Sequence, residues 1–191
     1  MIINVRGTHG SGKTELVRRV MQHYKVCVPI YIEGRKTPIG YVCRDRRAPH
    51  LSKHVVFVAG SYDGAVSGGC DTISKVDLMY KMIRRYAKLG YDVLFEGILA
   101  QHSTPNIVRL MKRDDVCVVM IKVPIKKAIR GVEARRKARG DARPLNPDNL
   151  IKEARYTELA ARRLRDQGAK VFFCKTRKRA LQRTLTLLDL A

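Results

Sequence analysis

Ile2-Ile3-Asn4-Val5-Arg6-Gly7-Thr8-His9-Gly10-Ser11-Gly12-Lys13-Thr14 decides the fold: an apolar run enters a turn punctuated by three glycines, and a lysine and a threonine leave it. Glycine lets a backbone curl closely around an anion, so that several N–H groups face inward. The spacing G-x-x-x-x-G-K-T predicts that Gly7, Thr8, His9, Gly10, Ser11 and Gly12 cradle a triphosphate. Lys13 then reaches the β and γ phosphates, and the Thr14 hydroxyl joins a Mg²⁺ shell. Beyond Glu15, the residues Leu16, Val17, Val20, Met21 and Tyr24 recur at helical spacing, so a helix aims its positive end at the same anion.

Outward from this turn the chain alternates strand-like and helix-like stretches. Val26–Ile32 and Ile39–Cys43 read as two strands of a hairpin joined by Glu33-Gly34-Arg35-Lys36-Thr37-Pro38. Val55–Ala59 reads as a buried strand, residues 60–71 as a glycine-rich irregular segment, and Ser74–Leu89 as an amphipathic helix closed by Gly90. Strands over Asp92–Glu96, Val116–Val123 and Lys170–Cys174 are interleaved with a short helix at Asn106–Lys112 and a basic helix at Pro124–Gly140. Pro144 and Pro147 break the chain after it; a long helix around Leu150–Leu164 and a closing helix through Leu188 complete the pattern. Near-continuous apolar strands need both faces covered, which predicts a parallel sheet between helices. The expected fold class is α/β in a single domain spanning 1–191, with a β-hairpin insertion at 26–47 and a basic, arginine-rich lid at 125–147.

Composition bounds the function. Of 191 residues, 45% are apolar, enough for one substantial core. Lys and Arg number 39 against 17 Asp and Glu, a net charge of +22, which points to a polyanionic partner. The surplus belongs to the folded body: residues 125–191 carry 19 basic and 7 acidic side chains, residues 1–124 carry 20 and 10. No apolar run reaches membrane-spanning length and no secretion signal opens the chain, so no membrane partner is expected. Five scattered cysteines without a C-x-x-C pair predict reduced thiols in a cytoplasm.

In an open α/β sheet the ligand site lies beyond the carboxyl ends of the strands. Asp63 and Asp71 follow the second core strand and Glu96 ends the third. A carboxylate at Glu96 suits the Mg²⁺ shell beside Thr14, or a proton acceptor from an attacking hydroxyl; Asp71 and Glu96 are favoured over Asp63 as the pair nearest that hydroxyl. Arg135 and Arg139, one helical turn apart, would close on a transferring phosphoryl group, with Arg136, Lys137 and Arg143 nearby.

The turn and its flanks resemble the Walker A motif of P-loop NTPases, and the whole arrangement resembles the P-loop kinases of the nucleoside and nucleotide group. That resemblance implies ATP and Mg²⁺ as cofactors, and it places the loop after the last strand against the adenine, where Arg177 would stack. The Asp-Arg-Ser type of signature found in many nucleoside kinases is not evident. The P-loop, Gly68-Gly69-Cys70-Asp71, the small size and the basic charge are similar, more narrowly, to phage-encoded kinases of 5-hydroxymethyluracil in DNA. The resemblance implies DNA containing a hydroxymethylated pyrimidine as partner, and the host cytoplasm as the place of action. Arg35, Lys36, Arg44, Arg46 and Arg47 of the hairpin are the candidate DNA contacts, with Tyr31, Tyr41 and Tyr62 as possible stacking faces. A small-molecule nucleoside or nucleotide kinase and a non-catalytic NTP-dependent nucleic-acid-binding protein stay open as alternatives. Oligomeric state is left undetermined.

Overall fold

The computed structural model describes residues 1–44, 55–64, 68–97 and 104–190. In chain order these form β1 (Ile2–Arg6), α1 (Lys13–Met21), β2 (Val26–Ile30), β3 (Gly40–Arg44), β4 (Val55–Ala59), α2 (Val76–Lys88), β5 (Asp92–Glu96), α3 (Thr104–Met111), β6 (Val116–Ile121), α4 (Ile125–Ala138), α5 (Pro147–Asp166), β7 (Lys170–Cys174) and α6 (Arg177–Leu187). The strands lie in one sheet in the order β2-β3-β4-β5-β1-β6-β7. β4, β5, β1, β6 and β7 run parallel; β2 and β3 are an antiparallel hairpin added to the β4 edge.

Alternation along the strands builds two cores, one on each face of the sheet. Ile2, Phe57, Val93, Phe95 and Val118 point to one face, where Tyr80 and Ile83 of α2, Ile107 of α3 and Leu164 of α5 cover them. Ile3, Val5, Val56, Val58, Leu94 and Val119 point to the other, covered by Leu16, Val17 and Val20 of α1 and by Ala180 and Leu185 of α6. β1 lies between β5 and β6 and is buried throughout, so the turn that follows it rises from a strand fixed on both sides.

Several expected boundaries move. α1 stops at Met21 rather than Tyr24, and α4 at Ala138 rather than Gly140. Pro147 starts α5 instead of breaking the chain: Asn146 caps that helix by accepting from the Asp148 N–H at 2.9 Å, and a proline at the first position lacks an N–H the helix would leave unpaired anyway. Pro29 is tolerated in β2 because β2 is the sheet edge.

The cysteine expectation needs correction at two positions. Cys27 and Cys43 are register partners across β2 and β3, with Cα atoms 3.9 Å apart, and their sulfurs are joined in a disulfide. Pairing of strands, not spacing along the chain, brings them together. Cys70, Cys117 and Cys174 are free and buried. Among the described residues, no helix is long and apolar enough to cross a membrane.

Candidate active site

The parallel register places the last residues of β1, β4 and β5 along one edge of the sheet, and a cavity of about 500 Å³ opens there. Its lining joins residues distant in sequence: His9, Lys13 and Thr14 from the turn and α1, Asp71, Glu96, Arg135, Arg139 and Arg177. Asp63 is exposed in the β4–α2 segment and does not line it. Of the three carboxylates read from the sequence, Asp71 and Glu96 are thus brought to the cavity.

The glycine turn is held from three sides. From α4, a Cβ on Gly10 would stand 2.1 Å from the Ala128 carbonyl oxygen, and one on Gly131 would stand 2.7 Å from the Gly10 carbonyl oxygen, so backbone packs directly on backbone. Arg135 and Arg139 follow Gly131 by one and two turns and therefore share the face that meets the cavity. Arg177, just after β7, donates through Nε to the Ser11 carbonyl at 2.9 Å and through Nη2 to the Gly10 carbonyl at 2.8 Å. From α5, Glu153 accepts the His9 backbone N–H at 3.0 Å through Oε1 and the His9 ring Nδ1–H through Oε2.

Inside the turn, the buried Lys13 ammonium donates to the carbonyl oxygens of Gly7 at 2.7 Å and Thr8 at 3.2 Å. Burial lowers its pKa, opposed by the charges of Glu96, Glu153 and Asp71. The Thr14 hydroxyl donates to Glu96 Oε1 at 2.9 Å. Glu96 is 1% exposed, and burial pushes its carboxyl from 4.5 up to about 7, against the pull of Lys13 and the Thr14 hydrogen bond. A carboxylate whose acid form titrates near neutrality is a stronger base than a free one and is still ionised in a substantial share of molecules at about pH 7, which suits it to accept a proton. Gly69 makes room for it: with φ +84° its backbone suits glycine, and a Cβ there would lie 2.1 Å from Glu96 Oε1. Thr14 and Glu96 together offer hard oxygen donors at one point, the ligand chemistry that Mg²⁺ takes.

On the opposite wall, α1 grips the β4–α2 segment. Arg18 donates to the Tyr62 carbonyl at 3.3 Å and to the Gly64 carbonyl. Arg35, from the hairpin turn, donates to the Thr72 carbonyl at 3.0 Å, one residue beyond Asp71. Tyr41 and Tyr62 are buried, with the Tyr62 N–H donating to the Tyr41 hydroxyl at 3.1 Å, so neither presents a stacking face; Tyr31 is 55% exposed.

The hairpin cations do not form one surface. Lys36 is exposed in the turn at the cavity edge of the sheet, whereas Arg44 pairs with Val55, the first residue of β4, at the opposite edge. Arg46 and Arg47 lie outside the described residues. In the segment expected to form a lid, Arg136 donates to the Arg143 carbonyl at 2.7 Å and Asp141 pairs with Arg143, so these groups brace the loop after α4. Sequence reading missed Glu153: it stands 144 residues from its partner on an unremarkable basic helix, and no local signal marks it.

No protein-family model matches the chain. The chain is 33% identical over 172 residues to a protein named 5-hmdU DNA kinase from Pseudomonas phage PaMx11, a match that covers 89% of this chain and 88% of the other. Among solved structures, deoxyadenosine kinase from M. mycoides is similar with a TM-score of 0.50 and 14% identity, with 100% of both chains covered; that likeness concerns the fold.

Proposed function

From the premise that this chain belongs to the 5-hmdU DNA kinase family and is a P-loop phosphotransferase, we propose that it moves the γ-phosphoryl group of ATP to the hydroxymethyl oxygen of 5-hydroxymethyluracil within DNA. The observation that carries the reading is the convergence of Lys13, Thr14, Asp71, Glu96, Arg135 and Arg139 on one cavity beyond the parallel strands. The net charge of +22 supports a polymeric anion as the acceptor's carrier, since a free nucleoside has no use for it.

In this reading the turn from Gly7 to Gly12 binds the triphosphate with backbone N–H groups, and Lys13 swings from the Gly7 and Thr8 carbonyls to the phosphate oxygens. Thr14 and Glu96 would hold Mg²⁺, which when bound neutralises phosphate charge. The acceptor oxygen forms the new O–P bond as the bond from the γ-phosphorus to the bridging oxygen of ADP breaks. Its proton passes to Asp71, or to Glu96 where that carboxylate stays outside the Mg²⁺ shell. Arg135 and Arg139 stabilise charge on the phosphoryl oxygens in flight, and Arg177 flanks the adenine from its place on the P-loop. A target base reaches such a recess only out of its stack.

The test supplies γ-labelled ATP with hydroxymethyluracil DNA, with unmodified DNA of the same sequence, and with free nucleosides. Label in the hydroxymethylated DNA alone is expected. Label confined to nucleosides would establish a small-molecule kinase, and DNA retention with no labelled product would establish a non-catalytic binder.

A further inference from the structure

α5 uses two sides of its surface for packing and leaves a third unexplained. Leu150, Thr157, Ala161 and Leu164 are buried on its inner side, and Glu153 reaches the P-loop. The remaining stripe is Lys152, Tyr156, Leu159 and Arg163, at i, i+4, i+7 and i+11, with Arg155 beside it; the three cations are exposed. Tyr156 is 64% exposed, more than any other large hydrophobic residue described, and Leu159 is 49% exposed one turn further on.

The surrounding charges leave this stripe cationic. Glu153 is turned to His9, Glu158 pairs with Lys122 and Arg162, Asp166 pairs with Arg165, and Asp148 is exposed one turn before Lys152. Among the described residues, Lys152, Arg155 and Arg163 join no ion pair. An exposed ring and an aliphatic side chain set between unpaired cations match the chemistry of a nucleic-acid strand, whose bases offer π faces and whose phosphates repeat at about 3.4 Å along the axis.

Position ties the stripe to the catalytic cavity. Because Glu153 is fastened to His9 of the P-loop, Lys152 and Tyr156 stand within a turn of that contact. α5 then runs back to the start of β7, away from the cavity edge. From Lys152 to Arg163 the helix advances about 16 Å, long enough to meet more than one phosphate of a strand.

Building on the DNA-kinase reading, we infer that the Lys152–Tyr156–Leu159–Arg163 face of α5 is the track for the DNA strand flanking the target nucleotide. Lys152, Arg155 and Arg163 neutralise phosphates there, and Tyr156 stacks on an unpaired base next to the extruded one. The hairpin is the poorer track, because Arg35 is spent on the Thr72 carbonyl and Arg44 stands at the far edge of the sheet.

The test measures binding of a fluorescent hydroxymethyluracil oligonucleotide by anisotropy across a salt series, together with steady-state kinetics, for Tyr156→Ala, Lys152→Ala/Arg163→Ala and Lys152→Glu. Tyr156→Ala is expected to weaken DNA binding about tenfold, and the double alanine variant to lower the salt slope by about two. The KM for ATP and the rate at saturating DNA should stay at wild-type values, since none of these residues lines the cavity. DNA affinity and salt slope equal to wild type in all variants would overturn the track. So would light scattering that shows a wild-type dimer dispersed by Leu159→Ser with DNA affinity intact, because the stripe would then cover a second copy of the chain. Failure of the kinase reading is separate: it would appear as wild-type protein that transfers no label to DNA, whatever the binding isotherms show.

Discussion

The two walls of the cavity are built by different means. The wall proposed for ATP is a contiguous turn, Gly7 to Thr14, gripped from outside by α4, α5 and Arg177. The wall proposed for the acceptor has no contiguous motif: Asp71 comes from the β4–α2 segment, which Arg18 and Arg35 of the hairpin steady, and Glu96 comes from the end of β5, where Thr14 holds it. Binding a triphosphate is a problem of many backbone N–H groups in one place, which a short glycine-rich stretch solves by itself. Choosing and activating an acceptor takes a few side chains at set positions, and the sheet supplies those through register.

If the walls divide the work in this way, substitutions should separate ATP handling from DNA handling. The largest effect is expected for Lys13→Ala, which should cut phosphoryl transfer about 10³-fold while DNA affinity measured without ATP stays within twofold of wild type. Equal loss of both would merge the two walls into one surface.

Glu96→Gln should slow transfer about 10²-fold, and it carries a second signature. The folded-state pKa of about 7 lies above the 4.5 of the free carboxyl, so the protonated form is the one the fold favours; that stability is complete below pH 4.5 and is lost as pH rises through 7. In metal-free protein the stability of Glu96→Gln relative to wild type should therefore grow by about 3 kcal/mol between pH 4 and pH 8, read from denaturant midpoints. A flat difference across that range would place the carboxylate in a wetter site than the structure has.

Glu153→Ala should raise the KM for ATP about tenfold with kcat changed less than threefold, whereas Glu153→Gln, which keeps an acceptor for the His9 N–H, should fall between the two. If Gln behaves as Ala does, the carboxylate acts by charge on Lys13 and not by holding the turn. The smallest effect is expected for Gly131→Ala. Alanine in a helix interior normally adds up to about 1 kcal/mol over glycine, but the Cβ would press on the Gly10 carbonyl, so calorimetry should find destabilisation of about 1 kcal/mol instead. A stabilised variant would show that α4 can move off the P-loop freely.

The sequence reading placed every strand of the sheet and paired Val26–Ile32 with Ile39–Cys43 as a hairpin, because strand and helix periods differ and glycine and proline punctuate them. It also named Lys13, Thr14 and Glu96, whose neighbours along the chain announce them and which the fold brings to one cavity. It favoured Asp71 over Asp63 on the paired glycines before it, although both follow β4 in segments of similar composition; the 3₁₀ turn at Cys70–Thr72 is what directs Asp71 toward Gly97 and the cavity. The Cys27–Cys43 bond and the Glu153–His9 grip were likewise invisible, as each joins groups whose nearness is a property of pairing and packing.

Local chemistry alone determined the anion cradle, the alternating architecture and the cationic character of the surface, because glycine freedom, side-chain periodicity and charge act between near neighbours or add up without regard to order. Tertiary structure decided which carboxylates share a cavity, what holds the P-loop in shape and which cations face the same way. Those are distances between residues far apart in the chain, and they exist only once parallel strands set the register of their carboxyl ends.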